Sequence, residues 1–304
     1  MAENNMFNNG MQGSIPMQPT PVNPLQKHFR QPKIYIRLPS GGKYWPAGSI
    51  EMPENGELPV YPMTAKDELV LKTPDALMNG ESTTQMMKSC VPNIKDASVC
   101  PSIDLDAILV AIRIATYGET MTVKGTIPNT EIERDYDINL VELLDRLQQN
   151  QYPETFKIGE FTFSMRPTAY KTFTDLSLLR FEEERKLRQI NDNTKMNDKD
   201  KLKVFNESFQ KLTQLTLQTV VSHVTSVQYL NEDPVTDPNH ITEFFENVDS
   251  ELFEKLQKYI EELKVAFSIP EFDAVASQEE IEAGAPETYK VPVMFDQSNF
   301  FARR

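Results

Sequence analysis

The chain has 304 residues, enough for one large domain or two ordinary ones, and its 39% hydrophobic content can supply a sizeable core. A formal net charge of −14 repels phosphate backbones and anionic membranes, so neither nucleic acid nor a membrane is expected as a direct partner. Two cysteines are too few for a disulfide scaffold, and the most apolar stretch, Ile108 to Ala115, is far short of the ~20 residues a spanning helix needs.

The opening Met1-Ala2-Glu3-Asn4-Asn5 has no basic start and no apolar run, so no secretory signal is expected and folding in a reducing cytosol is. Residues 1–32 are rich in Asn, Gln, Met and Pro, a composition that reads as a disordered arm. From Lys33 the pattern changes. Ile34, Ile36 and Leu38 alternate with Tyr35 and Arg37, Pro39-Ser40-Gly41-Gly42 makes a turn, and a second extended run covers Glu57 to Met63. Thr64 is placed to cap a helix with Asp67 in its first turn. Pro74 suits the first position of a short helix ending near Asn79-Gly80. A third helix is expected from Ser82 or Thr83, carrying Met86, Met87 and Cys90. A fourth starts near Ser102, with Leu105, Ile108, Leu109 and Ile112 as its stripe and Gly118 to close it. Strands over Met121–Ile127 and Arg134–Ile138, a helix over Leu140–Leu147 and a hairpin over Thr155–Met165 complete this part.

The second half reads as mostly helical. A long helix opening at Pro167-Thr168 carries Tyr170, Phe173, Leu176, Leu179, Leu187 and Ile190. The polar loop 191–198 separates it from a partner helix carrying Leu202, Phe205, Phe209, Leu212, Leu215, Val220, Val224 and Val227, and the two form an antiparallel hairpin. Asp237-Pro238 and Asp249-Ser250 each open a further helix, the last running to about Phe267. Beyond Pro270 the chain is acidic and loosely patterned, then ends in an extended aromatic stretch. The expected class is α+β: a small N-terminal mixed sheet with short helices, then a mainly α-helical half with the long hairpin. The expected divisions are 1–32, 33–166, 167–268 and 269–304.

Chemistry-bearing residues are sparse. Asp104 and Asp106 stand together at the mouth of the fourth helix, where paired carboxylates serve metal binding or acid–base catalysis, yet the helix macrodipole alone favours acids there. His28, His223 and His240 form no local pair with another ligand, and Cys90 and Cys100 match no compact zinc spacing. No phosphate-binding loop or dinucleotide fingerprint is present. Phe295, Phe300 and Phe301 gather aromatic area at a chain end that would ordinarily be polar. They are read either as packing on their own domain or as a protein-docking tail, and on the second reading Phe295–Arg304 could be deleted without harm to folding.

The runs Pro62-Met63-Thr64-Ala65-Lys66-Asp67-Glu68, Pro74-Asp75-Ala76-Leu77-Met78-Asn79-Gly80-Glu81 and Cys90-Val91-Pro92 resemble the baseplate hub proteins of T-even-type contractile phage tails. So do Asp104 to Leu109, Ile112 to Gly118 and the ending Phe295-Asp296 to Phe300-Phe301. The resemblance covers most of the chain beyond the N-terminal arm and is strongest over about residues 39–140. It implies a structural part in the baseplate hub, other hub and baseplate proteins as partners, and a place in the virion tail or, during assembly, in the host cytoplasm. No catalysis, cofactor or small-molecule substrate is implied. The alternatives are a hub assembly chaperone absent from the finished particle and, more remotely, a metal-dependent hydrolase using Asp104 and Asp106. Some relatives carry cysteine pairs before the second strand pair and near the C-terminus. The corresponding stretches here, Thr126-Ile127-Pro128-Asn129 and Phe272 to Ala285, have none, so no metal is expected.

Overall fold

The computed structural model describes residues 23–72, 80–192, 196–291 and 300–301. Its contacts form two units, Met1–Gln31 and Pro32–Arg304. The described part of the first holds one 3-10 turn, Gln26–His28, between exposed Leu25 and Phe29.

The second unit begins with β1 (Ile34–Ile36) and β2 (Leu58–Val60), paired antiparallel. Next comes α1 (Ala65–Val70), where Thr64 and Asp67 form the reciprocal capping box that the sequence promised in part. Then α2 (Glu81–Cys90) leads through a 3-10 turn to α3 (Ser102–Tyr117), closed by Gly118 at φ 100°. The expected helix from Pro74 lies outside the described residues, and Gly80 caps the start of α2. Gly80 has φ 73°, and a Cβ there would stand 2.8 Å from the Tyr170 hydroxyl, so the position requires glycine twice over.

Around α3 the first core forms. Ala107, Ile108, Val110, Ala111 and Ile112 are all fully buried, which marks a helix enclosed on several sides rather than one laid on a surface. Ile36, Leu58, Val60, Met86, Met87 and Cys90 pack around it, as do Leu140, Leu143 and Leu147 of α4 (Leu140–Gln149). Each such aliphatic side chain contributes about 1.5–3 kcal/mol when removed from water. The strands β3 (Thr120–Thr126) and β4 (Glu133–Asn139) pair antiparallel between α3 and α4.

A second core lies on the sheet of β5 (Thr155–Ile158), β6 (Phe161–Met165) and β7 (Val224–Tyr229), all antiparallel neighbours. Phe163, Met165, Val224 and Val227 meet Ile241 and Phe245 of α7 (Pro238–Asn247) and Leu252, Leu256 and Ile260 of α8 (Ser250–Phe267). Between β6 and β7 the chain runs out and back through α5 (Tyr170–Asp192) and α6 (Asp198–His223), the expected antiparallel hairpin.

The class is α+β, with three corrections of detail. The N-terminal strands form separate antiparallel ribbons, not one mixed sheet. The helix expected to run through Val227 stops at His223, and Val224–Tyr229 is strand β7: β-branched Val224 and Val227 complete the edge of β6 instead of continuing a helix. The acidic stretch after Pro270 is ordered as β8 (Phe272–Val275), α9 (Gln278–Glu282) and β9 (Thr288–Val291), with β8 and β9 paired antiparallel.

Candidate functional site

The two carboxylates expected to act as a pair do not. Asp104 is fully buried and accepts from the Ser40 backbone N–H at 2.8 Å, the Ser40 hydroxyl at 2.5 Å and Trp45 Nε1 at 2.8 Å. It is the peg that holds the Pro39–Gly42 turn and Trp45 onto α3. Burial pushes its carboxyl up to about 6, against the opposing pull of the Ser40 and Trp45 bonds. Asp106 looks elsewhere. Its Oδ2 accepts from the Ile269 backbone N–H at 3.2 Å, and burial again raises the carboxyl to about 6. Two acids with separate partners, one of them saturated by donors, do not make a shared metal or acid–base site. Among the described residues no group of three or more His, Cys, Asp or Glu is placed to hold a metal ion.

Asp106 lines a cavity of about 220 Å³ where α3, the start of α5, the end of α6 and the end of α8 converge. That volume holds several waters, since one occupies about 30 Å³. Tyr170, Phe173, Phe267, Ile260 and Leu105 give it largely apolar walls. His223 borders it too, with Nε2 2.9 Å from the Thr168 hydroxyl and Nδ1 2.8 Å from the Thr219 carbonyl oxygen. Burial lowers its pKa, so it is held as the neutral imidazole. The Tyr152 hydroxyl, also on the wall, is buried and has no hydrogen-bond partner among the described residues. Sequence spacing had no means of flagging Tyr152, which reaches the cavity from the loop between α4 and β5.

The remaining candidates fall in separate places. His28 and His240 are exposed, and Cys90 and Cys100 are buried and form no disulfide. Phe295 lies outside the described residues. Phe300 is fully buried and Phe301 nearly so, both within the first core. Arg113 of α3 donates to the Phe300 carbonyl and lies over the Phe300 ring at 5.2 Å, while the Tyr117 hydroxyl donates to the Phe301 carbonyl at 2.9 Å. In this chain the rings therefore pack on their own domain, against α3.

The two stretches compared above for cysteine content meet in space. Ile127, Ala274, Ala276 and Ala285 form a third small core with Tyr136 and Tyr289, whose hydroxyls are 2.7 Å apart. Apolar side chains and a tyrosine pair fill the junction.

The α5–α6 hairpin carries several exposed apolar side chains. Along its seam Arg180 donates to the Thr216 hydroxyl at 3.0 Å, and Lys211 pairs with Glu183 at 3.0 Å. Phe181, Leu202 and Phe209 lie outside that seam and are 48%, 63% and 55% exposed, well above what a closed bundle would leave. No helix of the described residues is long and apolar enough to cross a membrane.

A family model described as T4 bacteriophage base plate protein matches residues 32–273. No curated protein and no solved structure matches the chain.

Proposed function

The chain belongs to the T4 bacteriophage base plate protein family, and from that premise we propose that it is a structural subunit of the baseplate hub, working through contacts with other baseplate proteins. The observation that carries this reading is the hairpin. At about 1.5 Å per residue the 26 residues of α6 extend about 39 Å, and most of that length lies beyond the cores that hold the rest of the chain together. A rigid two-helix arm with exposed Phe181, Leu202 and Phe209 is suited to wedge between neighbours, because aromatic and aliphatic anchors in a helix face supply most of the energy of such contacts. The acidic surface assists by disfavouring association between copies outside the assembly and by steering basic partners. No step in this role requires catalysis.

Quantitative mass spectrometry of purified particles, set beside the soluble fraction of infected cells, tests it. A fixed, small number of copies per particle, with cross-links to hub proteins, is the expected result. A chain found only in the lysate with unassembled hub proteins would make it an assembly factor and overturn the structural role.

A further inference from the structure

Asp106 and Tyr152 face one cavity, and each holds a polar atom that the protein leaves unused. Asp106 gives one oxygen to the Ile269 N–H, while the other has no partner among the described residues. The Tyr152 hydroxyl is buried without a partner among the described residues, an arrangement native interiors seldom tolerate. The cavity they share is walled mostly by ring and aliphatic carbon from Leu105, Tyr170, Phe173, Ile260 and Phe267, with Glu261 and Lys264 also on its lining. A carboxylate set among aromatic faces is the chemistry that selects an organic cation: the charge meets the carboxylate, ring faces attract the same charge, and an apolar stem fills the remaining space.

The other charged and titratable groups near Asp106 do not serve as its counter-ion. On α8, Lys264 lines the same cavity but pairs with Glu261 at 3.7 Å and lies 5.6 Å from the centroid of the Phe173 ring, with no ion pair to Asp106 among the described residues. On α6, His223 is neutral and bonded to Thr168 and Thr219. On α3 itself, Asp104 is closed off by Ser40 and Trp45, and the Cys100 thiol just before that helix is a neutral group, raised first by burial and then by Asp104 and Asp106. Tyr152 and Tyr170 add hydroxyl-bearing rings. Asp106 thus stands as a half-buried acid with no ion pair among the described residues, in a chain whose net charge of −14 draws cations toward it.

We propose that this cavity is a receptor for a cationic side chain, a guanidinium or ammonium on an apolar stem, presented by a neighbouring baseplate protein. That the side chain comes from a baseplate neighbour rests on the function proposed above; the cavity's preference for a cation does not. An inserted cation would compensate Asp106, satisfy the Tyr152 hydroxyl as a donor to its oxygen, and lock the junction of α3, α5, α6 and α8 from which the hairpin projects.

The test uses the full chain and two probes of equal shape, n-butylguanidinium and its neutral counterpart n-butylurea, with binding followed by NMR. The guanidinium is expected to bind at least tenfold more tightly than the urea. Asp106→Asn, which keeps an acceptor for the Ile269 N–H, should bring the two together. Phe173→Leu, at a partly exposed position that folding tolerates, should weaken the guanidinium and leave the urea unchanged. Binding of the guanidinium should also fall about tenfold per pH unit below about 6, as Asp106 takes up a proton. Equal binding of the two probes, or guanidinium binding unaffected by both substitutions, would overturn the proposal. Baseplate assembly with the Asp106→Asn chain is the second arm. Lost assembly supports the neighbour's side chain as occupant, and normal assembly by a chain that no longer binds the guanidinium overturns it. Mass spectrometry of particles separately shows whether the chain is a subunit at all, so the two failures are told apart.

Discussion

Phe300→Ala tests whether the end of the chain is part of the first core. The ring is fully buried against α3, so its removal deletes a large aromatic group from a site enclosed on all sides. Phenylalanine-to-alanine changes at such positions cost about 3–5 kcal/mol, from lost transfer free energy and the cavity left behind. Arg113, stacked on that ring, would lose a further favourable contact. Against a total stability of about 5–15 kcal/mol this is a third or more. Trp45, the single tryptophan, is buried in the same core, so urea unfolding followed by its fluorescence reports on the right region. Ending the chain after Val291 should cost more than Phe300→Ala, since Arg113 and Tyr117 would also lose the Phe300 and Phe301 carbonyls they donate to. This reverses the expectation that the last residues can be deleted with folding intact. A Phe300→Ala midpoint shift worth under about 1 kcal/mol, below the usual range for a core phenylalanine, would show that the ring does not fill the core.

Asp106→Asn should also change the pH dependence of stability. The folded-state carboxyl titrates near 6 against an ordinary 3.8, so between those values the native state binds more protons than the unfolded chain. The acid's contribution therefore worsens as pH rises through that window, reaching on the order of 3 kcal/mol by pH 7. The variant should gain on the wild type at pH 7, keep about half of that gain at pH 5 and lose the rest as pH falls toward 3.8, as read from urea midpoints; an equal difference at pH 7 and pH 5 would contradict the assignment. His223, with its pKa lowered by burial, works the other way in both proteins, favouring the fold as pH rises, and cancels from the comparison. Gly80→Ala should destabilise by more than 1 kcal/mol, roughly the cost of a strained backbone alone, because the new methyl meets the Tyr170 ring as well; unchanged melting would refute the contact. Replacing the distal halves of α5 and α6 with a short polar turn should leave the melting of the remaining chain intact while abolishing incorporation into the baseplate. A shortened chain that incorporates normally would remove the hairpin from the proposed function.

Local signals carried much of this fold. Thr64, Asn197, Asp237 and Asp249 each cap a helix where their side chains can satisfy free N–H groups, and the register of β3 with β4 follows from alternation in a pair joined by a short turn. What stayed hidden depends on distant partners. Val220, Val224 and Val227 fit a helical stripe, and only β6, far back in sequence, makes Val224–Tyr229 a strand. In β8 and β9 the inward residues include small Ala274, so the hydrophobic alternation is faint beneath the many acids around it. The candidate site was legible as Asp104 and Asp106 but not as what they do. Ser40, Trp45 and Ile269, which separate their roles, come from remote segments, and Tyr152 enters from a loop with no periodic signal.

The seating of Phe300 and Phe301 also bears on how the protein is made. A ribosome delivers Ile36, Leu58 and the whole of α3 long before it delivers the two rings that finish their packing. Until then the nascent chain presents an unfilled apolar slot beside Arg113, and a product truncated ahead of those rings keeps it. Reading through to this aromatic pair thus doubles as a check on the product: only chains that carry both rings reach full stability, and a fragment with an open slot is a ready substrate for cellular proteases.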